Sequence, residues 1–220
     1  VWGPSKVATL GGAHWFVTFI DDCIRMTWVI LLKSKSEVSS AFQRFHKMIV
    51  VQYNRNIQVL RSDNGGEYVN MELHSFLELH GIVHQTTCSY TPQQNGVAER
   101  KNRHLLEMVR ASLISAHLPL HYWGEALTSA AYLINRLPSR TLTFHTPFQA
   151  LTSQTSSPPT PNLSPRVIGC VAFVHLHPPH RKTKLEPRAL RCVFLGYATT
   201  QKGYRCYHHS SKKMFITQDV

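Results

Sequence analysis

From His14 to Ile20, and again from Met26 to Leu32, the chain is dense in β-branched and aromatic residues. The Asp21-Asp22 pair between these runs predicts two strands joined by a turn. Beyond Ser36 the apolar spacing lengthens, and Val38, Phe42, Phe45, Ile49 and Tyr53 fall on one face of a helix over residues 36–53. Ile57 to Leu60 reads as a short strand, followed by the turn signal Asn64-Gly65-Gly66. A helix is expected over Val69–His80, stopped by Gly81, and then a strand over Ile82–Thr87. Thr91-Pro92-Gln93-Gln94 opens the next helix, with Thr at the cap, Pro in the first turn and Gln94 placed to close a capping box. That helix runs to about Ala116, and another over His121–Leu137 is ended by Pro138. Strands alternating with helices in this way predict a mixed α/β layer architecture.

Residues 152–165, TSQTSSPPTPNLSP, hold seven Ser or Thr, four Pro and no charge, the composition of a linker. Beyond it the pattern turns to β. Val167–Leu176, Leu190–Tyr197, Gly203–Tyr207 and Met214–Thr217 are short strands joined by polar turns, which predicts a small all-β barrel. The domain reading is therefore residues 1–151, a linker over 152–165, and a β module over 166–220.

The length, 220 residues, allows one large domain or one with a small satellite at about 150 residues per domain. A hydrophobic fraction of 43% excludes a wholly disordered chain. No apolar run approaches the ~18 residues of a membrane-spanning helix. The first residue is Val1 and no leader pattern precedes the fold, so an internal fragment of a longer chain is expected, with no membrane partner. Five cysteines without a C-x-x-C pair speak against a disulfide framework and a zinc ribbon, and for a reducing compartment. The 14 histidines are poorly spaced for metal ligation; His80 and His84, for example, are separated by the helix-stopping Gly81. P-loop, nucleophile-elbow and dinucleotide fingerprints are absent.

The formal charge of +12 favours a polyanionic partner, nucleic acid before membrane. It is uneven: residues 1–150 carry 14 basic and 10 acidic side chains, residues 151–220 carry 10 and 2. Between Ser62 and Glu99 lie five acids (Asp63, Glu67, Glu72, Glu78 and Glu99) and no Lys or Arg. Such an island in a basic chain is a candidate cation site, or the polar face of a surface helix. Asp63 stands at the C-terminal end of a strand, where carboxylates of α/β sheets face the ligand crevice. At ~100° per residue, Glu99 shares a helix side with Arg103 and Arg110, with Arg100 and His104 at its edge. Leu105, Met108, Val109 and Ser112 face the other way. By spacing alone a lone Glu among arginines is a solvated ion-pair face before it is a catalytic one.

The stretches R-S-D-N-G-G-E-Y and Y-T-P-Q-Q-N-G-V-A-E-R-K-N, with 35 residues between Asp63 and Glu99, resemble the D,D-35-E signature of the retroviral integrase superfamily. V-W-G-P, F-V-T-F-I-D-D, H-T-P-F-Q-A-L and the tail G-C-V-A-F-V-H, F-L-G-Y and K-G-Y-R resemble the Copia (Ty1-copia) retrotransposon branch of Pol polyproteins. The resemblance implies an RNase H-like mixed sheet flanked by helices, followed by a small SH3-like barrel. In that family the first catalytic Asp immediately precedes V-W-G-P, so the sequence is expected to begin one residue after it. The upstream His/Cys zinc module is expected to be missing too, and the tail to stop short of the module's usual end. Asp21 and Asp22 belong by family position to a hairpin, a structural role. Trp28 and Trp123 are expected in the core.

The activity implied for the intact parent is DNA integration: 3′-end processing followed by strand transfer, both in-line displacements at phosphorus. Two Mg²⁺ ions (or Mn²⁺), ~4 Å apart, would activate the nucleophile and stabilise the leaving oxygen. Hard cations take oxygen ligands, which fits acidic side chains. The catalytic and metal residues present are then Asp63 and Glu99. Family position places Tyr90, Gln94 and Asn95 on the loop before the Glu99 helix, against the DNA end, with Asn102 and Arg103 one turn on. Tyr90 has loop packing as its alternative role, and Asn95-Gly96 a hinge. Arg181, Lys182 and Lys184 offer backbone contacts to DNA or a solvated loop. Implied partners are element-end and target DNA and further copies of the chain, in the nucleus. The alternative is a catalytically dead retroelement remnant that at most binds nucleic acid.

Overall fold

The computed structural model describes residues 1–88, 92–154, 163–176, 187–198 and 201–218. Contacts divide the chain into two units: the described residues of 1–105 with 135–159, and those of 106–134 with 160–220. The first unit opens with a hairpin, β1 (Trp15–Ile20) and β2 (Thr27–Leu32), in register from Trp15 opposite Leu32 to Ile20 opposite Thr27. Asp21 builds the turn, its Oδ1 accepting the N–H groups of Cys23 and Ile24 at 2.9 and 2.8 Å. Helix α1 (Val38–Tyr53) follows a 3₁₀ turn capped by Ser34, and ends where Asn54 adopts the left-handed conformation at φ 50°. Its expected face is the buried one, with Val38, Phe42, Phe45 and Tyr53 inward. Phe19 stacks on Phe45 with centroids 4.5 Å apart, and the Trp28 ring meets Phe45 edge-on at 5.2 Å.

Strand β3 (Val59–Ser62) and strand β4 (Val83–Thr86) pair in parallel, with helix α2 (Met71–Leu79) between them in sequence. β3 lies two residues later than the apolar run 57–60 suggests. No residue of that run is fully buried, and the strand is set by pairing with β4. Asn70 fixes the start of α2, its Oδ1 accepting the Leu73 N–H at 2.9 Å. Leu73 and Leu77 then complete the core around Val17, Leu32 and Phe42.

A 3₁₀ turn over Pro92–Asn95 precedes helix α3 (Gly96–Ser115), so the regular helix starts later than expected. The Gln94 carboxamide oxygen accepts the Cys88 N–H at 2.9 Å, pinning the loop; Thr91, the expected cap, lies outside the described residues. Helix α4 (Trp123–Ile134) stops three residues before the expected end. The cause is Asn135, whose side chain turns to the backbone of Thr27, accepting its N–H at 2.9 Å and donating to its carbonyl at 2.7 Å. A short helix α5 (Pro147–Thr152), absent from the sequence reading, is held by a capping box between Thr146 and Gln149. Trp123 is buried, as expected.

In the second unit, β5 (Val171–His175), β6 (Ala189–Tyr197), β7 (Tyr204–His208) and β8 (Lys213–Thr217) form an antiparallel meander. A bulge lies between Phe194 and Gly196. Alternation puts Ala172, Val174, Cys192, Phe194, Tyr204 and Cys206 on the buried face. Burial pushes the Cys206 thiol up to about 12, with Cys192 and Cys170 adding to the effect, so it packs as an inert small hydrophobe. No helix among the described residues is long and apolar enough to cross a membrane.

His46, buried on α1, meets the rings of His80 at 4.7 Å and Phe76 at 5.4 Å. Burial lowers its pKa and His80 lowers it further; burial, then His74, does the same to His84. Below about pH 6.5 the unfolded chain takes up protons that these histidines refuse when folded, so stability falls as the pH drops and levels off once the folded groups protonate. Urea midpoints taken from pH 7.5 to 5 should decline, and less steeply in His46→Gln. An identical decline in the variant would remove His46 from the account.

Candidate functional site

Strand β3 delivers Asp63 to the end of the sheet. Thr87 N–H bonds the Ser62 carbonyl at 3.1 Å, extending the β4 pairing to the last strand residue. The buried Ser62 hydroxyl lies 2.9 Å from His84 Nε2 and 2.9 Å from the Asp63 carbonyl. Asp63 Oδ1 then accepts the Gly65 N–H at 3.1 Å, an Asx turn that aims the carboxylate back over its own loop. Asn64 ties the loop to β4 through the Thr87 carbonyl at 2.9 Å.

Gly65 is required by crowding. A Cβ there would lie 2.8 Å from Glu67 Oε2 and 3.1 Å from Asp63 Oδ1, so the two carboxylates flank one glycine. Glu67 is anchored by Lys35 at 3.3 Å. Burial would raise its pKa, but its own backbone N–H and the Lys35 ammonium outweigh that and hold it lowered, hence ionised. The Val1 α-amino group donates to Tyr68 Oη at 3.2 Å. Burial lowers the pKa of that amine, while Asp63 and Glu67 pull it back up. Burial, with the same two carboxylates, raises the Tyr68 hydroxyl and keeps it neutral. The Val1 nitrogen therefore lies within the electrostatic reach of Asp63 and Glu67.

Among the described residues β1 and β3 each pair with one named strand, and both border a cavity of about 460 Å³. Thr18–Ile20 line one side and Gln58–Arg61 the other, over a floor that includes Phe42, Phe45 and Ile49. Gln94, Asn95, Val97 and Ala98 bring the start of α3 to the same cavity. Trp2 already bonds to Phe16 in antiparallel fashion, N–H to carbonyl in both directions at 2.9 and 3.0 Å. Continued backward in that register, chain attached to Val1 would pass Thr18 and Ile20.

Glu99 stands exposed in the first turn of α3, and Arg103 is exposed one turn further. Asn102 is tied to β1, its amide oxygen accepting from the Thr18 hydroxyl at 2.9 Å. Leu105 and Val109 are buried, as the helix spacing requires. Asp22 pairs with Arg25, and with Arg61 at 3.9 Å, on the exposed hairpin. Tyr90, Arg181, Lys182 and Lys184 lie outside the described residues.

Three groups were not singled out by sequence reasoning. Lys35 is one: the fold brings it to Glu67, an acid of the island, across 32 residues. The second is Lys101, half-buried on α3, its pKa lowered by burial and by Arg25. The third is Phe173 on β5, 58% exposed and directly across from Arg191 of β6. From Leu163 onward the described residues include seven Lys or Arg and no acid.

The donor set beside Gly65 is all oxygen and suits a hard cation. It is incomplete: among the described residues no three His, Cys, Asp or Glu side chains gather as a metal centre. These residues do not fit a two-ion site by themselves.

Residues 2–92 match the integrase core domain, and residues 170–220 the retroviral polymerase SH3-like domain. The retrovirus-related Pol polyprotein from transposon TNT 1-94 of Nicotiana tabacum is 43% identical over 220 residues, covering 100% of this chain and 16% of that protein. The truncated transposon Ty1-A Gag-Pol polyprotein of Saccharomyces cerevisiae is 29% identical over 223 residues, covering 99% of this chain and 18% of that protein. The chain thus spans under a fifth of the length of these relatives. A chain of the simian T-cell lymphotropic virus intasome, solved with the PP2A regulatory subunit B56 gamma, shares the fold with a TM-score of 0.53. It is 21% identical, and the match covers 91% of this chain and 68% of that one.

Proposed function

Residues 2–92 belong to the integrase core domain family and residues 170–220 to the retroviral polymerase SH3-like domain family, in a chain related along its whole length to Copia-type and Ty1 Pol polyproteins, and on that premise we propose that it is the DNA-joining part of a retrotransposon integrase. The intact parent carries out 3′-end processing and strand transfer, and acts as an oligomer in the nucleus. The core comprises residues 1–151 and the β module residues 166–220. The observation that carries this reading is Asp63, held at the end of β3 by an Asx turn beside a second ionised carboxylate.

In this reading the chain's own residues perform three tasks. Asp63 and Glu99 contribute two of the carboxylates that would hold divalent Mg²⁺ or Mn²⁺. Such an ion, when bound, polarises the phosphodiester and activates the attacking oxygen. Lys35 keeps Glu67 ionised and fixed, so the field at Asp63 stays negative. Arg103, on the exposed side of α3, with Gln94, Asn95, Asn102 and Tyr90, contacts the DNA end, phosphate binding being the task for which a guanidinium is suited. Because the carboxylate set is incomplete, no catalytic step is assigned to residues 1–220 alone. The second reading is a remnant that binds DNA without cutting it, which the net charge of +12 alone would support.

DNA binding follows from charge in either case. Arg181, Lys182 and Lys184, with the Phe173 and Arg191 face, give the module a sequence-independent grip that releases counterions. Duplex affinity of the full chain should fall steeply with salt. Neutralising Arg181, Lys182 and Lys184 together should lower the slope of log affinity against log salt by about 2–3. Superimposable curves would mean that these side chains face water and that the module is not a DNA grip.

A further inference from the structure

Two glycines of the β module sit where no side chain fits. A Cβ on Gly169 (φ +82°) would lie 2.1 Å from the Cβ of Ala116, immediately after α3. A Cβ on Gly196 (φ +146°) would lie 2.5 Å from Ser129 Oγ on α4. The module's backbone therefore rests directly on small residues of the helical segment. Tyr132 of α4 stacks on Tyr197 of β6, ring centroids 3.7 Å apart. The Tyr132 hydroxyl donates to the Leu163 carbonyl at 2.7 Å and accepts the Leu163 N–H at 2.8 Å. Tyr197 Oη accepts the Arg166 N–H at 2.8 Å, and Tyr204 Oη donates to the Ser164 carbonyl at 3.1 Å. Three tyrosines, one from α4 and two from the sheet, thus clamp the end of the Pro/Ser/Thr-rich stretch, and Leu163 is buried.

A charged pair closes the same surface. Glu125, in the first turn of α4, faces Arg205 of β7 at 3.6 Å, and its Oε2 is buried with no hydrogen-bond partner. A carboxylate oxygen left dry is costly, and hydration would relieve it wherever the surface opened. The packing around it must hold it shut.

We propose that strands β5–β8 are a permanent partner of α4, docked through Gly169, Gly196, Tyr132 and the Glu125–Arg205 pair, and that this docking does not depend on the covalent connection at residues 155–162. The partner is committed: a small-residue helical surface bearing one aromatic ring and one carboxylate, supplied by this chain. The inference stands apart from the catalytic reading, because none of these residues serves it.

The test places a specific protease site within residues 155–162 of the full chain, cleaves the folded protein and follows the pieces by size exclusion. The two pieces should co-elute at micromolar concentration and separate only in denaturant. Ser129→Leu, a good helix former that leaves the sheet's own sequence untouched, drives a side chain into Gly196 and should raise the fraction of free module at least tenfold. Separation of the wild-type pieces on dilution would overturn the proposal, and so would a Ser129→Leu chain whose pieces stay together.

Discussion

Extended by a strand-forming segment that ends in Asp immediately before Val1, the chain is expected to join a 3′-hydroxyl DNA end to target DNA in Mg²⁺, and Asp63→Asn or Glu99→Gln should then reduce joining at least ~10³-fold. Both changes keep side-chain shape and remove a ligand's charge, so loss of activity with an unchanged melting curve isolates ligation from folding. The Val1 nitrogen, to which the Asp would be joined, lies 3.2 Å from Tyr68 Oη and feels the charges of Asp63 and Glu67. Residues 1–220 without the extension should give no joining in either Mg²⁺ or Mn²⁺. If they do join DNA, Asp21 or Asp22 must supply a ligand. Near-full activity in either extended variant would remove that residue from the site. Should the extended chain be silent, the upstream zinc module is to be added before the comparison is made.

Asn135→Leu is expected to cost about 2–4 kcal/mol, because it strips both the Thr27 N–H and the Thr27 carbonyl of their partner in a buried place. For a chain of this size that corresponds to a fall of roughly 5–15 °C in Tm. Leucine nearly preserves the volume, so the loss reports the two hydrogen bonds and not a cavity. Asn135→Asp should be as damaging, since it keeps an acceptor for the N–H but sets an unpaired charge against the carbonyl. A Tm within 1 °C of the parent in the Leu variant would mean that water replaces the amide at no cost.

Asn135 also shows why part of the fold was hidden in the sequence. Hydrophobic spacing placed β1, β2 and the buried face of α1 closely, because each element carries its own period. The end of α4 did not follow its spacing, since a residue 108 positions away claimed Asn135. Gln94 likewise bonds the Cys88 N–H, a loop contact that no local spacing announces. Helix α5 was legible and overlooked: Thr146-Pro147-Phe148-Gln149 repeats the signal that had been accepted at Thr91. At the site, Asp63 and Glu99 announced themselves by motif and spacing. Glu67 showed as one acid of the island but its Lys35 partner did not, because an ion pair across 32 residues leaves no trace until the loop after β3 folds back. The glycines of G-C-V-A-F-V-H and F-L-G-Y were visible as a motif, but their reason is the approach of two helices.

The cavity between β1 and β3 has a consequence for handling the protein. Two strand edges beside one apolar floor, only one of them partly covered by Trp2, make a surface of the kind an extended peptide pairs with. At the concentrations used for crystallisation or magnetic resonance, the commonest such peptide is another molecule of the same chain. A short strand-forming segment fused ahead of Val1 is therefore expected to reduce concentration-dependent association of the chain.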